Sequence, residues 1–94
     1  MTKKIQSLFE NDYRLIRERG GRKSGGMSEL YRAVQESPII TIPKAEKILK
    51  NSVSKPTLYS AANELVQLGI LTPLSLDSSG IQAYAYDKYI SLLR

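Results

Sequence analysis

Ninety-four residues with 14 basic and nine acidic side chains, a formal charge of +5, make one small domain near the lower limit that a single apolar core stabilises unaided. Neither cysteine nor histidine occurs, which excludes disulfides, thiolate and imidazole metal sites, and the commonest general base. No apolar run reaches the roughly 18–20 residues that span a bilayer and no signal-peptide pattern opens the chain, so the expectation is a cytoplasmic protein with no membrane partner and no cofactor.

The excess charge is unevenly spread. Residues 1–26 hold seven basic against three acidic side chains, whereas 27–94 hold seven against six. In the first segment, KKIQSLFENDYRLIRER (3–19) sets Ile5, Leu8, Phe9, Leu15 and Ile16 at helical spacings with charges between them, which predicts an amphipathic helix docking by its apolar stripe. Its cations Arg14, Arg17 and Arg19 continue into Arg22 and Lys23 of GGRKSGG (20–26), whose four glycines predict a flexible loop. This basic patch either lies against a DNA backbone or an acidic partner surface, or only keeps a helix face and loop solvated. Glu10, four residues before Arg14, suits the solvated reading. The glycine-rich run lacks the strand–loop–helix context and the GxxxxGK[ST] spacing of a phosphate-cradling loop.

MSELYRAVQES (27–37) reads as a second helix, with Leu30, Ala33 and Val34 inward and Ser28 as its N-cap. PIITI (38–42) is β-branched and bounded by prolines, a short strand; PKAEKILK (43–50) is a third helix with Pro43 in its first turn. NSVS (51–54) is the turn before a fourth helix, 55–68, for which Ser54 is the N-cap. Leu58, Ala61, Ala62, Leu65 and Gly69 share one face of it, and the two alanines permit a close crossing with a neighbouring helix. Pro56, Ser60, Asn63 and Gln67 point the other way, with Tyr59 on the flank.

After Gly69, ILTPLSL (70–76) and IQAYAYD (81–87) read as strands joined by DSSG (77–80), with KYISLLR (88–94) a short closing helix. Alternation puts Tyr84 and Tyr86 on one strand face and Ile81, Ala83 and Ala85 on the other. One set packs the core; tyrosines left outside would suit a protein interface or cover the core. Residues 70–76 and 81–86 also leave a strand edge open to another chain. The order of elements predicts a mainly α fold with a small β-hairpin. The expected architecture is a winged helix-turn-helix over 27–94, preceded by an amphipathic linker helix and Gly-rich loop over 1–26.

In such a fold the fourth helix is the one that enters the major groove of DNA, and its N-terminal residues reach base edges. The candidates are Lys55, Thr57, Tyr59, Ser60 and Asn63, Asn63 for adenine and Lys55 with the Ser54 and Thr57 hydroxyls for phosphates. The plain alternative is that Ser54 and Thr57 cap the helix while Lys55 and Asn63 are merely solvated. SLDSSGIQ (75–82) contains one Asp and no Lys or Arg, so the wing brings none of the cations that neutralise a DNA backbone.

LYRAVQESPIITIPKAEKIL, VSKPTLYSAANELVQLGIL and YAYDKYISLL together resemble the C-terminal region of Fic-family proteins, in which a linker helix and a winged-helix domain follow an adenylyltransferase core. The resembling positions are Pro38 with Ile39–Thr41, Ser54 with Pro56 and Thr57, Leu68-Gly69-Ile70-Leu71, and Tyr86 through Leu93; KIQSLFENDYRLIRERG is similar to the linker helix. Fic-type wings often carry Arg before their second strand, where Ser79, Gly80, Ile81 and Gln82 stand here. The family's catalytic H-P-F-x-x-G-N-G-R loop needs a histidine that this chain lacks, so the resemblance implies an accessory domain, excised or stand-alone, that is not itself an enzyme. Two functions follow as expectations: DNA binding through helix 55–68, or a protein-interaction or dimerisation module, self-associating or positioning a Fic catalytic core or its target.

Overall fold

A computed structural model of the chain describes residues 3–74 and 80–93. The first helix, α1, runs over Lys3–Arg19 and buries Ile5, Asp12 and Ile16. A single 3-10 turn, Gly21–Lys23, then leads into α2, Ser24–Glu36. The run 20–26, expected as a flexible loop, is therefore mostly helical, and Ser28 lies inside α2 instead of capping it. Packing is the reason. A Cβ on Gly20 would collide with the Ile16 carbonyl oxygen, and one on Gly26 would stand 2.8 Å from Thr57 Cγ2. Gly21 supplies the left-handed φ of 54° that turns the chain between helices. At Gly26, close tertiary contact with the fourth helix thus outweighs the poor helix propensity of glycine.

After β1, Ile39–Thr41, the third helix α3 covers Ile42–Ile48, and the Thr41 hydroxyl accepts from the Lys44 N–H at its N-terminus. Its end is closed by Lys50 and Asn51 in left-handed conformations, with the Asn51 N–H donating to the Glu46 carbonyl at 2.9 Å. The fourth helix, α4, spans Lys55–Gln67. Ser54 occupies its N-cap position, but the side chain donates to Thr57 Oγ1 at 2.9 Å rather than accepting from a helix N–H. Gly69, at φ 78°, ends α4: its N–H bonds the Val66 carbonyl while that of Ile70 reaches Leu65.

The core joins these helices through their apolar stripes. Leu30, Ala33 and Val34 of α2 meet Leu58, Ala61, Ala62 and Leu65 of α4, with Ile42 and Ala45 of α3 and Ile16 of α1 in the same cluster. β2 (Thr72–Pro73) and β3 (Ala83–Ala85) pair antiparallel, as a hairpin would. β1 joins them, giving a three-stranded antiparallel sheet of order β1-β3-β2 with Ile40 opposite Tyr84. Because β3 is central, it has no open edge, contrary to expectation for 81–86; the strands are also shorter than the sequence suggests. The expected turn at 77–80 lies largely outside the described residues, apart from Gly80 at φ 82°. Tyr84 and Tyr86 are both buried, so the tyrosine face of β3 belongs to the core and is not an exposed interface.

The last helix, α5 (Asp87–Leu93), packs back on α1. The molecule is mainly helical with a small three-stranded antiparallel sheet. Among the described residues, no helix is long and apolar enough to cross a membrane.

Candidate functional site

Because Leu58, Ala61, Ala62 and Leu65 turn α4 inward, its opposite face is left uncovered. Lys55, Thr57, Tyr59 and Asn63 are exposed there, and Ser60 is half-buried. Tyr59 is the conspicuous member, a large ring 46% exposed on a helix that otherwise sorts its apolar residues inward. Lys55 Nζ stands 3.9 Å from Oε1 of the half-buried Glu46, a long pairing in which the lysine itself stays exposed.

The basic patch divides in two. Arg22 and Lys23, on the 3-10 turn, come up beside the first turn of α4 and line a cleft of about 340 Å³ with Gly26, Pro56, Thr57, Ser60 and Ala61. Arg14 and Arg17 instead line a separate groove of about 450 Å³ along α1, with Gln6, Phe9, Glu10 and Tyr13. Arg19 is exposed at the end of α1 and borders neither. Two members of the patch therefore join two of the α4 candidates, Thr57 and Ser60, across one cleft, although some 35 residues separate them in sequence. Lys23 also reaches over α4 to Glu64, at 3.1 Å. The Glu10–Arg14 pair anticipated on α1 is not among the ion pairs of the described residues.

A second polar constellation was not anticipated. The Tyr86 hydroxyl donates to the Asp12 carboxylate at 2.5 Å, and its oxygen stands 2.5 Å from the Tyr31 hydroxyl. With the Tyr86 proton committed to Asp12, Tyr31 is the donor in the second bond. Asp12 is only 2% exposed, and both phenols are fully enclosed. Phe9 and Tyr13 of α1 meet the Tyr31 ring edge-on, at 6.2 and 4.7 Å between centroids, and Tyr89 closes on Phe9 at 5.0 Å. Burial pushes the Tyr31 phenol well above its ordinary pKa. For Tyr86, burial is again the main cause, reinforced by the hydrogen bonds to Asp12 and Tyr31. These two bonds run between protein groups, so the constellation holds α1 to α2 and to the start of α5. The signal for it in the sequence was Asp12 itself, four residues after Leu8 and four before Ile16, a carboxylate on an apolar stripe.

Among the described residues, no cluster of carboxylates is placed to hold a metal ion. No family model, curated protein or solved structure matches this chain. What the fold defines is a small helical domain with a three-stranded sheet, with an uncovered face on α4 and a basic cleft beside it.

Proposed function

We propose that this chain is a winged helix-turn-helix accessory domain of the Fic type, non-catalytic, that binds duplex DNA with α4 as the reading helix. The observation that carries it is the uncovered outer face of α4, bearing Lys55, Thr57, Tyr59 and Asn63, with Arg22 and Lys23 beside its first turns. Support also comes from the order helix, strand, helix, helix, strand, strand over α2 to β3, and from the β1-β3-β2 sheet behind the helices. In this role Asn63 and Tyr59 meet base edges or sugar, while Arg22, Lys23 and Lys55 neutralise phosphates.

Fluorescence anisotropy with a mixed-sequence duplex at low and fourfold higher salt tests this. Three to four phosphate contacts lower the affinity by about 40- to 150-fold over that change. Replacing Lys55 and Asn63 together by alanine weakens binding further, with the Lys55 loss shared by every duplex sequence and the Asn63 loss confined to preferred ones. Absence of binding at low salt overturns the proposal.

The groove on α1 favours a second reading, a protein-interaction or dimerisation module. Phe9 and Tyr13 there are half-buried rings flanked by Arg14 and Arg17, the composition of an interface centre with a charged rim. Sedimentation velocity, alone and with a Fic catalytic core, distinguishes it: association lost on Tyr13→Ala with DNA affinity intact assigns α1 to protein contact.

A further inference from the structure

We propose that the cleft between the 3-10 turn and the first two turns of α4 is a phosphate site, seating one phosphate group between Arg22 and Lys23 on one wall and the Thr57 and Ser60 hydroxyls on the other. The duplex backbone is the source of that phosphate under the DNA reading above, on which this source assignment rests.

Both walls are built for the purpose. Gly21, left-handed at φ 54°, folds the turn so that two successive cations approach α4, and Gly26, lacking a Cβ, lets α2 lie against the Thr57 methyl. Thr57 and Ser60 are three residues apart on one helix and so face the same side. Thr57 Oγ1 accepts from Ser54, which leaves its own proton to donate outward. Arg22 is exposed and takes no part in an ion pair among the described residues, so its planar fork is available for bidentate contact. Lys23 is held by Glu64 and shifts from that carboxylate to the anion when the site fills. Against the single Glu64 charge the cleft presents two cations. A tetrahedral phosphate uses donors on opposite walls at once, which a planar carboxylate does less well.

Amide chemical shifts of the isotope-labelled protein, titrated with inorganic phosphate against chloride and acetate at equal ionic strength, test this directly. The expected result is a saturable response to phosphate centred on Gly26, Thr57 and Ser60. It disappears in the Arg22→Ala/Lys23→Ala variant, whose otherwise unchanged spectrum reports an intact fold. Glu64→Gln tightens binding by about two- to fivefold, the weight of one exposed ion pair. Equal responses to chloride, acetate and phosphate, or responses that survive in the double variant, overturn the site. A duplex titration separates the sources: if DNA binds, the double variant lowers the salt slope by about 1 for each cation removed. DNA binding with an unaltered slope rejects the cleft and leaves the DNA reading standing. Phosphate binding without any DNA binding retains the cleft and rejects the duplex as its source.

Discussion

Two polar regions of this domain differ in what their polar atoms do. Around Asp12, Tyr31 and Tyr86, both hydroxyls and one carboxylate oxygen are hydrogen-bonded to one another, under a cover of aromatic rings. Along the outer face of α4 and in the adjoining cleft, Lys55, Thr57, Tyr59, Asn63 and Arg22 face solvent. Buried polar groups cost stability unless they are paired, so the first region is occupied with holding the fold together. The second owes the fold little and is available for a partner. Titratable or hydrogen-bonding residues in proximity are therefore a poor guide to function in this chain; their accessibility is a better one.

The largest expected effect that can break this comparison lies in the buried region. Tyr86→Ala removes a fully enclosed ring and strands the Asp12 carboxylate, and a loss of about 3–5 kcal/mol is expected from denaturant unfolding. For a domain of this size that is a large share of total stability. A variant as stable as the parent would mean that α1 is held by other contacts and that the polar chain is incidental.

Alkaline pH gives the next largest effect. In the unfolded chain the Tyr31 and Tyr86 phenols lose their protons near pH 10, whereas burial keeps both protonated in the folded protein well above that. The stabilisation is complete below pH 10 and is lost as pH rises toward the folded-state values, because only the unfolded state gains from losing protons there. The slope reaches about 1.4 kcal/mol per pH unit for each tyrosine. Unfolding midpoints measured in steps from pH 9 upward check it, and a flat profile would contradict the burial of these rings.

The smallest expected effect sharpens the contrast from the other side. Lys55→Ala with Asn63→Ala changes stability by no more than about 0.5 kcal/mol, since both side chains are exposed and pack on nothing that the core needs. Thermal melts measured beside the anisotropy titrations provide the check: unchanged stability with weakened DNA binding assigns these residues to recognition.

Some of this architecture was legible from the chain alone because it rests on local periodicity. The spacing of Leu58, Ala61, Ala62 and Leu65 specifies both the inward face of α4 and, by exclusion, the face carrying Lys55, Tyr59 and Asn63. Gly69 marks the end of that helix because its left-handed φ costs a glycine nothing. Leu30, Ala33 and Val34 of α2 were readable in the same way. The glycine-rich run 20–26 was not, since composition predicts a loop and only the approach of Thr57 shows why Gly26 occurs inside α2.

The sequence by itself determined the identity and inward faces of the helices, the concentration of positive charge in the first 26 residues, and the absence of cysteine and histidine chemistry. Tertiary structure alone decided how those charges are shared out. It carried Arg22 and Lys23 to the first turn of α4 and left Arg14 and Arg17 in a groove along α1. It also joined β1 to β3 and enclosed Tyr84 and Tyr86. The physical reason is range: a helix face is set by neighbours three and four residues away, whereas the Tyr86–Asp12 bond joins groups 74 residues apart. Such a bond exists only once the core has formed.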